Sequence, residues 1–95
     1  MQIDNIVTVS GQLHHIRSEK KNDKYFSFSI KQETLQNDGV LRKDFLVSRA
    51  FLPEIQEQVT ALPEGTPLRV SGVLQSSLGS GEMYINVREV ELLSQ

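Results

Sequence analysis

Residues 52–65, Leu52-Pro53-Glu54-Ile55-Gln56-Glu57-Gln58-Val59-Thr60-Ala61-Leu62-Pro63-Glu64-Gly65, carry the single helical signature in a chain that otherwise alternates like strand. Leu52, Ile55, Val59 and Leu62 recur at intervals of three, four and three, which puts them in one stripe on a helix surface. Pro53 suits the first turn, where its missing N–H is not needed, and Pro63-Glu64-Gly65 ends the helix. Glu54, near the helix start, is placed to interact with the positive end of the helix dipole.

Strand patterns lie on both sides of this helix. Before it, residues 6–17 hold Val7, Val9 and Leu13 in period two, with Gly11 marking a bulge or bend. Residues 18–24 are wholly polar and read as a loop. Residues 25–32 alternate most cleanly, with Phe26, Phe28 and Ile30 on one face and Tyr25, Ser27, Ser29 and Lys31 on the other. Asn37-Asp38-Gly39 marks a turn into a third strand over 40–49, whose inner face is expected to carry Phe45 and Val47. After the helix, residues 66–75 return to strand with Leu68, Val70 and Val73, broken by Gly72. Residues 76–82 form a glycine-containing hairpin tip. Residues 83–93 close the pattern, with Met83, Ile85 and Val87 alternating and Glu89 to Leu92 continuing in a shifted register.

The order β-β-β-α-β-β, with glycine bends in the first and fourth strands, predicts an all-β fold. It matches the five-stranded OB-fold barrel, with one helix between strands 3 and 4. Sharp bends allow a five-stranded sheet to close, and the helix stripe would plug the barrel's open bottom. The competing layout is an α+β sandwich with the helix across an open sheet. At 95 residues and 10.7 kDa, the chain is one domain over 1–95, too short for a two-domain enzyme or a full dinucleotide-binding fold. A domain of this size buries only roughly 60–65% of the surface its unfolded chain exposes, so association with another copy would benefit it.

Composition narrows the chemistry. The absence of cysteine excludes disulfides, thiolate metal sites and cysteine nucleophiles. No basic-then-apolar leader and no membrane-length apolar run is present, so a soluble cytoplasmic protein is expected. His14 and His15, adjacent on a strand, point to opposite faces and cannot chelate one ion. Glu54 and Glu57 have no nucleophile or base near them in the pattern. No enzyme, metal or cofactor is expected. Net charge is −2, but residues 13–50 carry eight Lys and Arg against five Asp and Glu, and residues 51–95 carry two against six. Such asymmetry can place one positive face on an acidic molecule.

The sequence resembles bacterial single-stranded-DNA-binding proteins. The resemblance lies in Asn5-Ile6-Val7-Thr8-Val9-Ser10-Gly11-Gln12-Leu13, in residues 62–75 around Gly65, Val70 and Gly72, and in the last strand from Met83 to Leu93. In stopping at Gln95, directly after that strand, the sequence resembles the tail-less dimeric relatives of the PriB primosomal type. The resemblance implies a homodimer or homotetramer formed through first-strand pairing. It also implies single-stranded DNA as ligand, with RNA left open, and a role in replication, repair or recombination alongside replication proteins. A protein-interaction or assembly module without nucleic-acid binding is the alternative. The chain has no tryptophan, and Arg42 stands where a third-strand tryptophan of the family would align.

Binding an unwound strand requires cations for phosphates and flat side chains for bases. The candidates are Lys20, Lys21 and Lys24 in the first loop, and Tyr25 and Lys31 on strand 2. Strand 3 offers Arg42, Lys43 and Arg49, strand 4 Arg69, and strand 5 Tyr84 and Arg88. Tyr25 is read as a stacking residue, and Tyr84 suits stacking and a subunit contact equally. Parity puts Arg42 and Lys43 on opposite faces, and Arg69 and Arg88 have acidic neighbours such as Glu89 to pair with. Phe26, Phe28 and Phe45 are read together as core.

Overall fold

A computed structural model describes residues 2–16 and 24–93. Five strands and one helix run in the order β1 (Val7–His15), β2 (Phe26–Leu35), β3 (Leu41–Ala50), α1 (Pro53–Thr60), β4 (Pro67–Ser76) and β5 (Met83–Leu92). The strands form a closed barrel in the order β1-β2-β3-β5-β4. All pairings are antiparallel except β3 with β5, which run parallel and join through Ser48 opposite Ile85 and Arg49 opposite Asn86. The closed barrel excludes the open-sheet sandwich.

Closure depends on one strand serving two neighbours. Val7–Gln12 pair with β4, Gln12–His15 pair with β2, and Gln12 belongs to both ladders. Gly11 sits at the crossing, where a Cβ would run into the carbonyl oxygen of Lys31 and the side chain of Ile30. Gly72 does the same on β4. Its neighbour is the carbonyl of Asn86, and the β4–β5 register shifts between Ser71 and Gly72, leaving Arg88 as the extra residue on β5. The shifted register expected after Val87 is this bulge. Asn5 extends the sheet beyond β1: its side-chain amide donates to the Leu74 carbonyl at 2.8 Å and accepts from the Leu74 N–H at 2.9 Å.

The core is Leu13, Phe28, Ile30, Ala50, Leu68, Val70, Ile85 and Val87 from the strands, closed by Ile55 and Val59 of α1. Leu62 packs partly against it, and Leu52, the first residue of the expected stripe, is exposed as the helix N-cap. The Gln56 side chain fastens the helix to the end of β3 by donating to the Ala50 carbonyl at 3.0 Å.

One expectation is overturned. On β3 the inward residues are Leu46, Ser48 and Ala50, opposite Ile30, Phe28 and Phe26; Phe45, Val47 and Arg49 face outward, opposite Lys31, Ser29 and Ser27. Phe45 is 48% exposed. Phe45-Leu46-Val47 is continuously apolar, so alternation alone leaves its inner face undetermined. Volume decides it: small Ser48 and Ala50 fit beside the large rings of Phe28 and Phe26. The buried Ser48 hydroxyl is satisfied by donating to the Leu46 carbonyl at 3.2 Å.

Glu64, in the α1–β4 connection, ties this end of the barrel together. Its carboxylate accepts from the His15 N–H at 2.7 Å and from His14 Nδ1 at 2.8 Å. The backbone hydrogen bond, followed by the His14 side chain, holds the Glu64 carboxyl below the usual carboxylate range. The two histidines face opposite ways: His15 lies in the row of Phe28 and its Nε2 donates to the Leu62 carbonyl at 2.9 Å.

Two predictions come from this architecture. Gly72→Ala is expected to destabilise the protein by roughly 1–3 kcal/mol, because the methyl meets main chain that cannot move aside cheaply. Thermal denaturation followed by circular dichroism measures the loss, and an unchanged midpoint contradicts the close approach. A carboxyl whose folded pKa is lowered adds stability above its unfolded pKa and loses it as pH falls through the folded value. Glu64→Gln is therefore expected to flatten the acid-side fall in urea stability relative to wild type, with a lower plateau near neutrality.

Candidate nucleic-acid interface

The outward faces of β2, β3 and β5 form one continuous surface because these strands are neighbours in the barrel. Alternation puts Lys31 and Glu33 of β2, Lys43, Phe45, Val47 and Arg49 of β3, and Tyr84 and Asn86 of β5 on it. Tyr25 precedes β2 in the same phase, and Phe51 follows β3.

Two aromatic stations stand on this surface. At one end, Tyr25, Phe51 and Tyr84 form a tilted cluster, with ring centroids 5.1 Å apart for Tyr25–Phe51 and 6.1 Å for Phe51–Tyr84. The Arg49 guanidinium lies within this cluster, its Cζ 4.5 Å from the Tyr25 centroid and 4.1 Å from the Tyr84 centroid. The Tyr84 hydroxyl donates to Gln75 Oε1 at 3.1 Å, and Asn86 donates to the same oxygen. At the other end, Phe45 packs against His14 at 5.0 Å, and His14 is held in turn by Glu64. Five residues of β3 lie between Phe45 and Phe51, a span of about 20 Å along an extended chain. Val47 lies between them on the same face.

Sequence reasoning placed Phe45 in the core and so missed this second station. Lys31, directly opposite on β2, is the one signal that could have found it, since a residue paired with an exposed lysine shares its face.

The cations are less continuous than the sequence suggested. Lys31 pairs with Glu33 at 2.9 Å, and that hydrogen bond, with the nearby charges of Lys31 and Lys43, lowers the Glu33 carboxyl pKa. Lys43 stands beside this pair on the outward face, opposite Glu33. Arg42 lies on the other face of the β2–β3 hairpin, as parity required, and binds Asp44 at 3.1 Å. Arg69, on β4, binds Glu91 at 3.0 Å, so its partner is Glu91 and not Glu89. Arg88 is exposed at the bulge beyond Asn86. Lys24 is exposed immediately before Tyr25. Lys20 and Lys21 lie outside the described residues. The structure thus groups Tyr25, Lys31, Lys43, Arg49 and Tyr84 on one surface with Phe45, and leaves Arg42 and Arg69 away from it. Among the described residues, no group of three metal-ligand side chains comes together.

No protein-family model matches the sequence, and no curated protein matches it. Solved structures do match in shape. A mitochondrial single-stranded DNA binding protein of S. cerevisiae, Rim1, superimposes with a TM-score of 0.72 at 16% identity, over 95% of this chain and 97% of that one. A small single-stranded DNA binding protein from Mycoplasma pneumoniae gives 0.70 at 17% identity, over 94% and 93%. The N-terminal domain of PriB from Thermoanaerobacter tencongensis, solved as a dimer, gives 0.63 at 17% identity, over 96% and 98%. At these identities the likeness is one of fold: the chain is built as an OB-fold barrel like those of the small single-stranded-DNA-binding proteins and PriB.

Proposed function

We propose that this protein binds single-stranded DNA, without catalysis, along the outward surface of β2, β3 and β5. One observation carries the reading. Two aromatic stations and the cations Lys31, Lys43 and Arg49 share a single outward sheet face, which is the combination that holds an unwound strand. Bases stack on Tyr25, Tyr84 and Phe45, while Lys43, with Lys31 and Lys24, meets phosphates. Binding on such a surface is largely independent of sequence. Neighbours of like fold described as single-stranded DNA binding support this choice of ligand, and a role in DNA replication, repair or recombination belongs to the same reading.

The protein acts as a homodimer in this reading. Val7–Gly11 use one edge for β4, and among the described residues no strand covers the other. An open edge of that kind is a template for a second copy of β1. Sedimentation equilibrium is expected to return twice the 10.7 kDa of one chain; a monomer at high micromolar concentration refutes it.

Titration of labelled oligo(dT) at several salt concentrations tests the binding itself. Phe45→Ala is expected to weaken it by about 1–3 kcal/mol, roughly 5- to 150-fold, while the melting temperature stays nearly unchanged. Lys43→Gln is expected to flatten the salt dependence by about 0.7 in logarithmic slope. Absence of saturable binding at micromolar protein leaves the interaction-module alternative in its place.

A further inference from the structure

We propose that Arg49 is a positioning residue of the stacking surface: its guanidinium, held between Tyr25 and Tyr84, fixes both rings for bases, and it is not a phosphate contact. The inference rests on the single-strand-binding reading and assigns Arg49 a role within it that is distinct from that of the lysines.

Three observations bear on Arg49: the first separates it from Lys31, Arg42 and Arg69, and the other two from the remaining described cations. Lys31, Arg42 and Arg69 each pair with a carboxylate, but among the described residues none pairs with Arg49. Its partners are two ring faces, at 4.5 and 4.1 Å from Cζ. Its Nε is buried with no hydrogen-bond partner. An arginine that grips phosphate in a fork uses the guanidinium edge, and here the Nε side of that edge is sealed by the fold. What the group does make is close contact with the ring faces of both tyrosines.

The surroundings fit that role. Arg49 is opposite Ser27 on β2 and Asn86 on β5, so a small neighbour leaves room for the guanidinium to lie back across the sheet. Tyr84 is anchored a second time through its hydroxyl to Gln75, and Phe51 packs against both tyrosines. Tyr25 and Tyr84 lie far apart in the chain; Phe51 and Arg49 both contact the two rings, and Arg49 is the cation that does so. A lysine carries the same charge but has no flat face to fill the gap between two rings.

The chain has two tyrosines and no tryptophan, so its near-ultraviolet circular dichroism above the phenylalanine bands reports these two rings alone. Arg49→Lys and Arg49→Gln are each expected to shrink that tyrosine signal in the free protein and to weaken oligo(dT) binding about tenfold. Both are expected to keep the wild-type salt slope and the far-ultraviolet spectrum. Arg49→Lys binding as tightly as wild type overturns the inference, as does a salt slope flattened in Arg49→Gln and preserved in Arg49→Lys. An unchanged tyrosine signal in Arg49→Lys overturns it whether or not DNA binds. Should the Arg49 variants fail to fold, Tyr84→Leu provides the test in their place: it is expected to weaken binding about tenfold at an unchanged salt slope, and wild-type affinity in that variant overturns the proposal. Wild-type protein that does not bind oligo(dT) overturns the functional reading together with this one, whereas a wild type that binds makes any contrary result in the variants specific to Arg49.

Discussion

A five-stranded sheet becomes a barrel only if its ends meet, and here they meet at a short parallel seam between β3 and β5. Two residue pairs define that seam, Ser48 with Ile85 and Arg49 with Asn86. Ser48 and Ile85 point inward and are buried in the core. Arg49 and Asn86 point outward, and there the guanidinium lies against Tyr84 of β5 and Tyr25 at the start of β2. The seam is therefore covered on its inside by the core and on its outside by the cluster proposed to stack bases. Gly11 and Gly72 make this geometry reachable, since each lets one main chain pass so close to another that no side chain fits between them. Closing the barrel and building the surface are one structural event.

Much of this was legible in the sequence because it follows from local rules. Ile55 and Val59 of the helix stripe, Pro53 at the first turn, the two glycine bends and the alternation from Phe26 to Ile30 each appear where they were expected, whereas Leu52 falls at the exposed N-cap. The orientation of β3 was not legible. Phe45, Leu46 and Val47 are all apolar, so either face could have been inward on hydrophobicity alone. The answer depends on which residues across the ladder need space. That is a property of register, which the sequence encodes only through the turn and through volumes on another strand.

The site divides along the same line. Arg42 bonding to Asp44 could be read from the sequence, since residues two apart share a face and opposite charges there attract. The meeting of Tyr25, Arg49 and Tyr84 could not. Tyr84 lies far along the chain from Tyr25, and the two approach only because β5 inserts between β3 and β4 in the barrel order. Charge followed pairing more than count: a surplus of basic residues before residue 50 did not become an open cationic stripe, because Glu33 and Asp44 sit within reach of Lys31 and Arg42.

The absence of tryptophan takes on a different meaning in this geometry. Arg42, the residue at the expected tryptophan position, lies on the opposite face from Phe45, so it cannot substitute for an aromatic on the outward surface. Phe45 can, being three residues further along the same strand and therefore of opposite parity. Flat groups on this barrel are not depleted so much as redistributed, into Phe45 with His14 at one end and the two tyrosines about Arg49 at the other. Phenylalanine and tyrosine offer less area than tryptophan. Holding them in place beforehand lowers the ordering cost that binding must overcome, and a guanidinium between two rings does that without a hydrogen bond. The same cation, which no carboxylate pairs among the described residues, also brings positive charge to the surface where a polyanion would lie. It therefore favours approach even though the Nε side of its edge is sealed by the fold.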